Sequence, residues 1–290
     1  MRDDFVAVIL THGRADRVIT IGSLQACGYT GPILLLCDDM DENLPDYKDK
    51  YGDMVSVFDK REWASRTDTI DNFDEMGAVV FARNAVFEVV KERGFRYFIM
   101  LDDDYTNWMF RFDDDLRWET TDIKIRNLDR MFALMVEWMI AMPRAKAICL
   151  AQGGDYIGGG QSNFAGAIRA TRKAMNTFVC DVERPIEWIG RINEDVNTYC
   201  TGATRGDIYF TLNHAAITQT MTQQNEGGLT EIYLNLGTYV KSFYSVICHP
   251  SGATVNLMTG GDGKRLHHRI DWIRTTPMIL SETVRKAERA

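Results

Sequence analysis

The run Phe98-Ile-Met-Leu-Asp102-Asp103-Asp104 constrains the chain most, because an apolar segment stops abruptly at three carboxylates. Unbroken apolarity from Tyr97 to Leu101 is what a strand covered on both faces requires, and it predicts a parallel sheet inside an α/β fold. Open α/β sheets take their ligands beyond the carboxyl ends of the strands. Residues two apart in an extended chain point the same way, so Asp102 and Asp104 are expected to project together with Asp103 opposite. Two oxygen ligands on one side suit a hard divalent cation, Mg²⁺ or Mn²⁺, that can bridge phosphate oxygens. The alternative is a solvated acidic turn, which seldom follows so apolar a strand.

Other runs fit the same sheet. Val6-Ala-Val-Ile-Leu10 reads as a first strand, Pro32-Ile-Leu-Leu-Leu-Cys37 as a second and Met54-Val-Ser-Val-Phe58 as a third. The first enters Thr11-His-Gly-Arg14-Ala-Asp16-Arg17, then a helical pattern of Val18, Ile21 and Leu24 closed by Gly28. A polar turn at a helix start can meet an anion, and Arg14 and Arg17 suit a diphosphate, although both arginines fit a plain surface equally well. The spacing excludes a G-x-G-x-x-G fingerprint and a P-loop. The second strand ends in Asp38-Asp39, where an acidic residue can accept hydrogen bonds from a ribose or base. Residues 60–77 read as a polar lid or binding loop anchored by Trp63. A helix from Ala78 to Arg93 carries Arg83-Asn84 in an apolar body, so that charge must snorkel, pair or face a phosphate.

Beyond the acidic run, Trp108 to Trp118 reads as a β-hairpin with Asp113, Asp114 and Asp115 at its turn. Ile125 to Met142 is a helix whose methionine stripe belongs to the core. Ala147-Ile-Cys-Leu150 is a short strand that opens into a glycine-rich loop, and Arg169, Arg172 and Lys173 form a small basic cluster. Glu194-Asp195 can be an N-terminal helix cap or a carboxylate base facing an acceptor hydroxyl. Thr259 to Arg269 combines glycines, cations and the pair His267-His268, which suits a loop closing over phosphate and offering imidazole to a metal.

Composition narrows the function classes. A formal charge of −8 over 290 residues argues against a sequence-blind nucleic-acid binder, though not against a local basic groove. Six cysteines without a C-x-x-C pair read as reduced core residues of a cytoplasmic protein. No segment approaches the ~18 consecutive apolar residues of a membrane span.

Taken in order, the Thr/Arg turn, the strand ending in Asp, the helix with Arg83-Asn84, the D-x-D strand end, the Glu-Asp pair roughly ninety residues later and the C-terminal histidines resemble a GT-A fold glycosyltransferase. The resemblance runs over about residues 5 to 270. It implies one domain over residues 1–290, with a Rossmann-like, mostly parallel central sheet flanked by helices and a smaller β-rich acceptor-side portion. The nucleotide-sugar half would be about 1–120, and the acceptor half with its C-terminal closing loop about 121–290. Within that superfamily, Val8-Ile-Leu-Thr-His-Gly-Arg14, Leu101-Asp-Asp-Asp-Tyr105 and Asn193-Glu-Asp195 are most similar to the phage glycosyltransferases associated with TET-type dioxygenases. That family is thought to add sugars to 5-hydroxymethylpyrimidines in DNA.

The resemblance implies a UDP-type donor bound by Thr11, Arg14, Arg17, Asp39, Arg83, Asp102 and Asp103. It implies Mn²⁺ or Mg²⁺ on Asp102 and Asp104, completed by His267 or His268, with Asp195 of the Glu194-Asp195 pair as base. The acceptor would be hydroxymethylated DNA in a host cytoplasm, its base flipped out and stacked on aromatics such as Tyr156 and Phe164. The rival readings are a GT-A enzyme acting on a polysaccharide or protein, a sugar nucleotidyltransferase, and a non-catalytic nucleotide-sugar-binding protein.

Overall fold

A computed structural model of the protein describes residues 1–113, 118–152, 156, 168–170, 174–175, 177–220, 230–260 and 263–276. The chain begins β1 (Phe5–Leu10), α1 (Ile19–Ala26), β2 (Ile33–Asp38), α2 (Leu44–Tyr51), β3 (Val55–Phe58), α3 (Lys60–Arg66), α4 (Val80–Glu92) and β4 (Tyr97–Asp102). It continues with β5 (Tyr105–Phe112), β6 (Trp118–Lys124), α5 (Leu128–Ala141), β7 (Ala145–Gln152), β8 (Ile168–Arg169), β9 (Phe178–Asp181), α6 (Glu194–Thr204) and β10 (Ile208–Gln219). It closes with α7 (Thr230–Cys248), β11 (Ala253–Gly260), β12 (Gly263–Ile270) and α8 (Trp272–Thr275).

Ten strands form one sheet in the order β3-β2-β1-β4-β9-β7-β10-β5-β6, with β8 also on β10, and β11 and β12 pair separately. Strands β3, β2, β1 and β4 are parallel to one another. Strands β9, β5 and β8 run against the remaining strands of the sheet. This is the mostly parallel α/β sheet that the apolar runs predict.

The reason for their continuous apolarity is visible in β1, where all six residues are buried. Phe5, Ala7 and Ile9 join Ile99, Leu101 and the α5 residues Phe132, Met135 and Met139 on one face. Val6, Val8 and Leu10 join Phe98, Met100 and the α4 residues Val86 and Val90 on the other. The methionine stripe is therefore core, as its spacing predicts. Gly28 fixes how closely α1 meets α5: its φ is +80°, and a Cβ there would collide with the Arg126 carbonyl.

Two expectations fail in instructive ways. Residues 60–77 are not one loop, because Asp59 accepts a hydrogen bond from Glu62 N at 2.8 Å and caps the short helix α3. Thr259 to Arg269 is not a closing loop either. His267 and His268 lie on β12, in register with Asn256 and Val255 of β11. Alternating flanks around a glycine turn were a hairpin signal that the cations masked. All six cysteines are free thiols. No helix among the described residues is long and apolar enough to cross a membrane.

Candidate active site

The carboxyl ends of β1, β2, β3 and β4 converge on a cavity of about 380 Å³. Leu10, Leu36 and Phe58 give it apolar walls, with Ala78, Val79 and Ala82 opposite. Thr11, His12, Arg14, Asp38, Lys60 and the pair Asp102-Asp103 bring polar atoms to the same space.

The acidic turn at one end is held by α1. Thr20 Oγ1 donates to the Asp102 carbonyl at 2.7 Å and accepts from Tyr105 N at 2.9 Å. Thr20 N donates to the Asp103 carbonyl at 3.2 Å. Strand β4 stops at Asp102, and residues 103–104 turn the chain into β5. The rule that residues two apart share a face applies only to extended chain, and residues 103–104 turn instead, so strand parity no longer argues for pairing Asp102 with Asp104. Asp103 is buried and accepts from Thr11 Oγ1 at 2.7 Å and Arg14 Nη1 at 2.9 Å. Asp104 accepts from Thr220 Oγ1 at 2.9 Å. Asp102 shares the cavity wall with Asp103.

Burial pushes the Asp102 carboxyl up to about 7, with Arg83 pulling back and Asp104 and Asp103 adding to the rise. Asp104 is also raised, mainly by burial, with Thr220 opposing and Asp103 reinforcing it. Crowded carboxylates of this kind are what a divalent cation relieves. Among the described residues no group of three or more His, Cys, Asp or Glu side chains could hold a metal, so His267 and His268 are not gathered with Asp102 and Asp104. One or two carboxylates, with substrate phosphates completing the shell, are nevertheless an ordinary donor set for Mg²⁺. The acidic turn fits that set.

Arg83 answers the question its position in a helix posed. It is 4% exposed, lies against the rings of both Phe178 and Trp188, and stands 3.3 Å from Glu194 Oε1. Burial opposes its charge, yet Glu194, Asp102 and Asp195 together hold its pKa above the ordinary value. One buried guanidinium therefore stands among the carboxylates of two segments far apart in sequence.

Glu194 and Asp195 form the first turn of α6, where the helix dipole favours negative charge. Neither caps the helix. Asn193 occupies that position at φ +53° and is anchored by donating Nδ2 to the Lys241 carbonyl at 2.7 Å. Glu194 is buried on Arg83, and its carboxyl is raised by burial more than Arg83 lowers it. Asp195 is half-buried, and among the described residues its carboxylate accepts from Val196 N alone, at 2.7 Å.

Several expected residues stand elsewhere. Asp39 is exposed and accepts from Lys60 N at 2.8 Å, so its neighbour Asp38 is the aspartate lining the cavity. Arg17 is exposed and pairs with Asp16 at 3.5 Å. Tyr156 is buried and donates its hydroxyl to the Asn213 carbonyl at 2.8 Å, which removes it as an exposed stacking platform. Phe164, Arg172 and Lys173 lie outside the described residues.

Three cavity residues escape a motif-led reading: His12, Asp38 and Lys60. His12 Nδ1 lies 2.7 Å from Asp38 Oδ2, and Lys60 Nζ lies 3.3 Å from the same oxygen. The signal was strand parity, since Leu34 and Leu36 share a face with Asp38 two residues further on.

The sequence matches the family model described as TET-Associated Glycosyltransferase over residues 5–228. No curated protein matches it. Among solved structures, the mannosyltransferase PcManGT from Pyrobaculum calidifontis, in complex with GDP-Man and Mn²⁺, is similar at 12% identity and a TM-score of 0.44. That match covers 78% of this chain but only 59% of the other, less than two thirds of its length. Glucosyl-3-phosphoglycerate synthase from Mycobacterium tuberculosis, with Mg²⁺ and UDP, is similar at 10% identity and a TM-score of 0.40, over 92% of this chain and 88% of that one. Mannosyl-3-phosphoglycerate synthase from Rubrobacter xylanophilus is similar at 12% identity and 0.42, over 92% and 84%.

Proposed function

The chain belongs to the TET-associated glycosyltransferase family, and from that membership we propose that it moves a sugar from a UDP-type donor to the hydroxyl of a 5-hydroxymethylpyrimidine in phage DNA. The observation that carries the reading is the matched segment, which contains the cavity, the acidic turn and the Glu194-Asp195 pair together. The acceptor class rests on the family description. The donor class is supported by a cavity with apolar walls at one end and Arg14 beside carboxylates at the other.

Asp102 and Asp104 would hold Mn²⁺ or Mg²⁺, which supplies positive charge to the departing diphosphate. Asp103, itself fixed by the Thr11 hydroxyl, holds Arg14 at the cavity, where its guanidinium can take a phosphate oxygen. Asp195 takes the acceptor hydroxyl proton as that oxygen bonds to the anomeric carbon and the carbon–phosphate oxygen bond breaks, giving inversion. Glu194 serves the same step indirectly by fixing Arg83 behind the site. A hydroxymethyl group inside a duplex is out of reach of such a pocket, so the acceptor base would be flipped out or single-stranded. The work would take place in the cytoplasm, where nucleotide-sugars and phage DNA meet.

The formal charge of −8 favours one second reading, the same donor chemistry with a saccharide or protein hydroxyl as acceptor. The test is incubation with UDP-sugars and Mn²⁺ on hydroxymethylated DNA, unmodified DNA and glycans, with the product read by mass spectrometry. A hexose-sized mass gain on hydroxymethylated bases alone supports the DNA acceptor. Transfer only to glycans overturns it, and retained anomeric configuration by NMR removes Asp195 from the base role.

A further inference from the structure

Arg191 is 3% exposed, and its guanidinium is committed to one distant segment of the chain. Nε donates to Asp71 Oδ1 at 3.1 Å and Nη2 to the Phe73 carbonyl at 2.7 Å, while Nη1 has no hydrogen-bond partner among the described residues. The backbone joins in. Arg191 N donates to the Thr69 carbonyl at 3.2 Å, and Gly190 N to the Asp68 carbonyl at 2.8 Å. The Tyr244 hydroxyl, from α7, shares its one proton between the Thr69 carbonyl and the Asp71 carboxylate.

The segment gripped in this way is strained. Ile70 has a φ of +66°, a region that a β-branched residue seldom enters, and its side chain packs on Ile192 and Tyr244. Such a conformation persists only where the surroundings over-determine it, and it is found chiefly at ligand clamps and switch regions. Here both chain directions lead to the site. Just past Phe73, Glu75, Gly77, Ala78 and Val79 line the cavity. Just past Arg191, Asn193 turns the chain into α6, and Glu194 and Asp195 follow. Asn193 Nδ2 is tied to the Lys241 carbonyl and to Ser245 Oγ, on the helix that carries Tyr244. One buried guanidinium thus joins a wall of the cavity to the turn that presents Asp195.

We infer that Arg191 is a positioning residue: by gripping Asp71 and Phe73 it fixes the cavity wall relative to Asp195, so that a bound donor and the base meet in register. The inference rests on the donor-site reading of the cavity and on Asp195 as base, both given above. Arg191 touches no reacting atom and acts through Asp195. Reacting groups tolerate little displacement, and a shift of about 1 Å made far from the chemistry can cost about 10²-fold in rate. The diphosphate contacts proposed at Arg14 and the acidic turn lie on other elements, so loosening the grip should spare nucleotide affinity and lower turnover.

Two variants loosen it. Arg191→Lys keeps the charge but loses the planar fork that reaches Asp71 and Phe73 together. Tyr244→Phe keeps the ring and removes the hydroxyl. Each is made alone and with Asp195→Asn, and transfer to hydroxymethylated DNA is followed at saturating UDP-sugar with Mn²⁺, beside a UDP binding isotherm. Each single variant should lose about tenfold or more in turnover while UDP affinity stays within about fivefold. In the Asp195→Asn background the same substitutions should cost less than about threefold, because residues that act as a unit are not additive. Equal losses in both backgrounds would reduce Arg191 to upkeep of the fold and overturn the inference, as would undiminished turnover in a folded Arg191→Lys. Tyr244→Phe decides if Arg191→Lys does not fold. A wild type that binds no UDP, or an Asp195→Asn variant with full turnover, overturns instead the reading on which the inference rests.

Discussion

Strands β2 and β4 lie on either side of β1, run parallel to it and end in aspartates that line the same cavity, Asp38 and Asp102. Burial acts upward on both carboxyls. Asp38 nonetheless ends below the ordinary carboxylate value, because the hydrogen bond from His12 and the charge of Lys60 outweigh burial. Asp102 ends at about 7, because burial dominates, Arg83 is shared with Glu194 and Asp195, and the neighbours Asp104 and Asp103 are like charges. Strand position decides that a carboxylate is buried, and partners decide whether it is finished. Asp38 has been neutralised by the protein itself. Asp102 has not, which leaves it for a ligand. The same split divides Glu194, paired with Arg83 at 3.3 Å, from Asp195, which makes no ion pair among the described residues.

The largest expected effect tests that split at Asp195. Asp195→Asn should cut turnover by about 10²–10⁴-fold, the range for a lost general base, while UDP affinity with Mn²⁺ is unchanged. Steady-state kinetics beside a binding isotherm would read both. Should Glu194→Gln prove the more damaging to turnover in a protein of unchanged stability, the two acids have been assigned the wrong way round.

Glu194→Ala should be the most destabilising substitution of the group, by about 3–5 kcal/mol, because it leaves Arg83 buried without its nearest counter-charge. Urea unfolding would measure it. Arg83→Met combined with Glu194→Ala should recover much of that loss, since replacing both members of a buried pair removes the orphaned charge. No recovery would mean that the pair holds nothing together.

How much of this was open to a reader of the sequence follows from the same comparison. The strands declared themselves, because burial on both faces demands unbroken apolar runs such as Val6 to Leu10. The acidic turn declared itself by following one. The partners did not. Arg83 meets Glu194 across 111 positions, a closure between α4 and the first turn of α6 that no local pattern encodes. Asp38 and Asp39 look alike in sequence, although strand parity with Leu36 separates them. Glycines, cations and histidines in one segment suit a closing loop that offers imidazole to a metal, yet β-pairing with β11 decides where His267 and His268 sit.

Asp102→Asn carries the comparison into pH. A carboxyl whose folded-state pKa lies above its unfolded value destabilises the fold as it ionises, so the penalty is absent below about pH 4, grows through pH 7 and stays level above. The asparagine variant should therefore be more stable than the wild type by about 1–2 kcal/mol at pH 8 and no more stable at pH 4. It should also lose the Mn²⁺-dependence of UDP binding. A variant less stable than the wild type at pH 8 would show that Asp102 already has its counter-charge in the free protein.

The smallest expected effect has the opposite pH sense. His12 is raised above its ordinary value, chiefly by its hydrogen bond to Asp38, with burial opposing. A raised histidine stabilises fully below its unfolded pKa of about 6.5 and loses that contribution as pH climbs through the folded value. Asp38, held low, contributes above the unfolded carboxylate value and fails as pH falls through its folded one. The pair thus contributes most near pH 5–6 and fades toward pH 8 and above. His12 is about half exposed, so water screens the pair and His12→Gln should cost under ~1 kcal/mol even at its maximum. Melting curves at pH 5.5 and 8.5 would show a larger loss at the lower pH. A larger loss at the higher pH would mean that Asp38 draws its stabilisation from Lys60 alone, which would sharpen the case for that lysine as the partner that completes β2 where β4 is left incomplete.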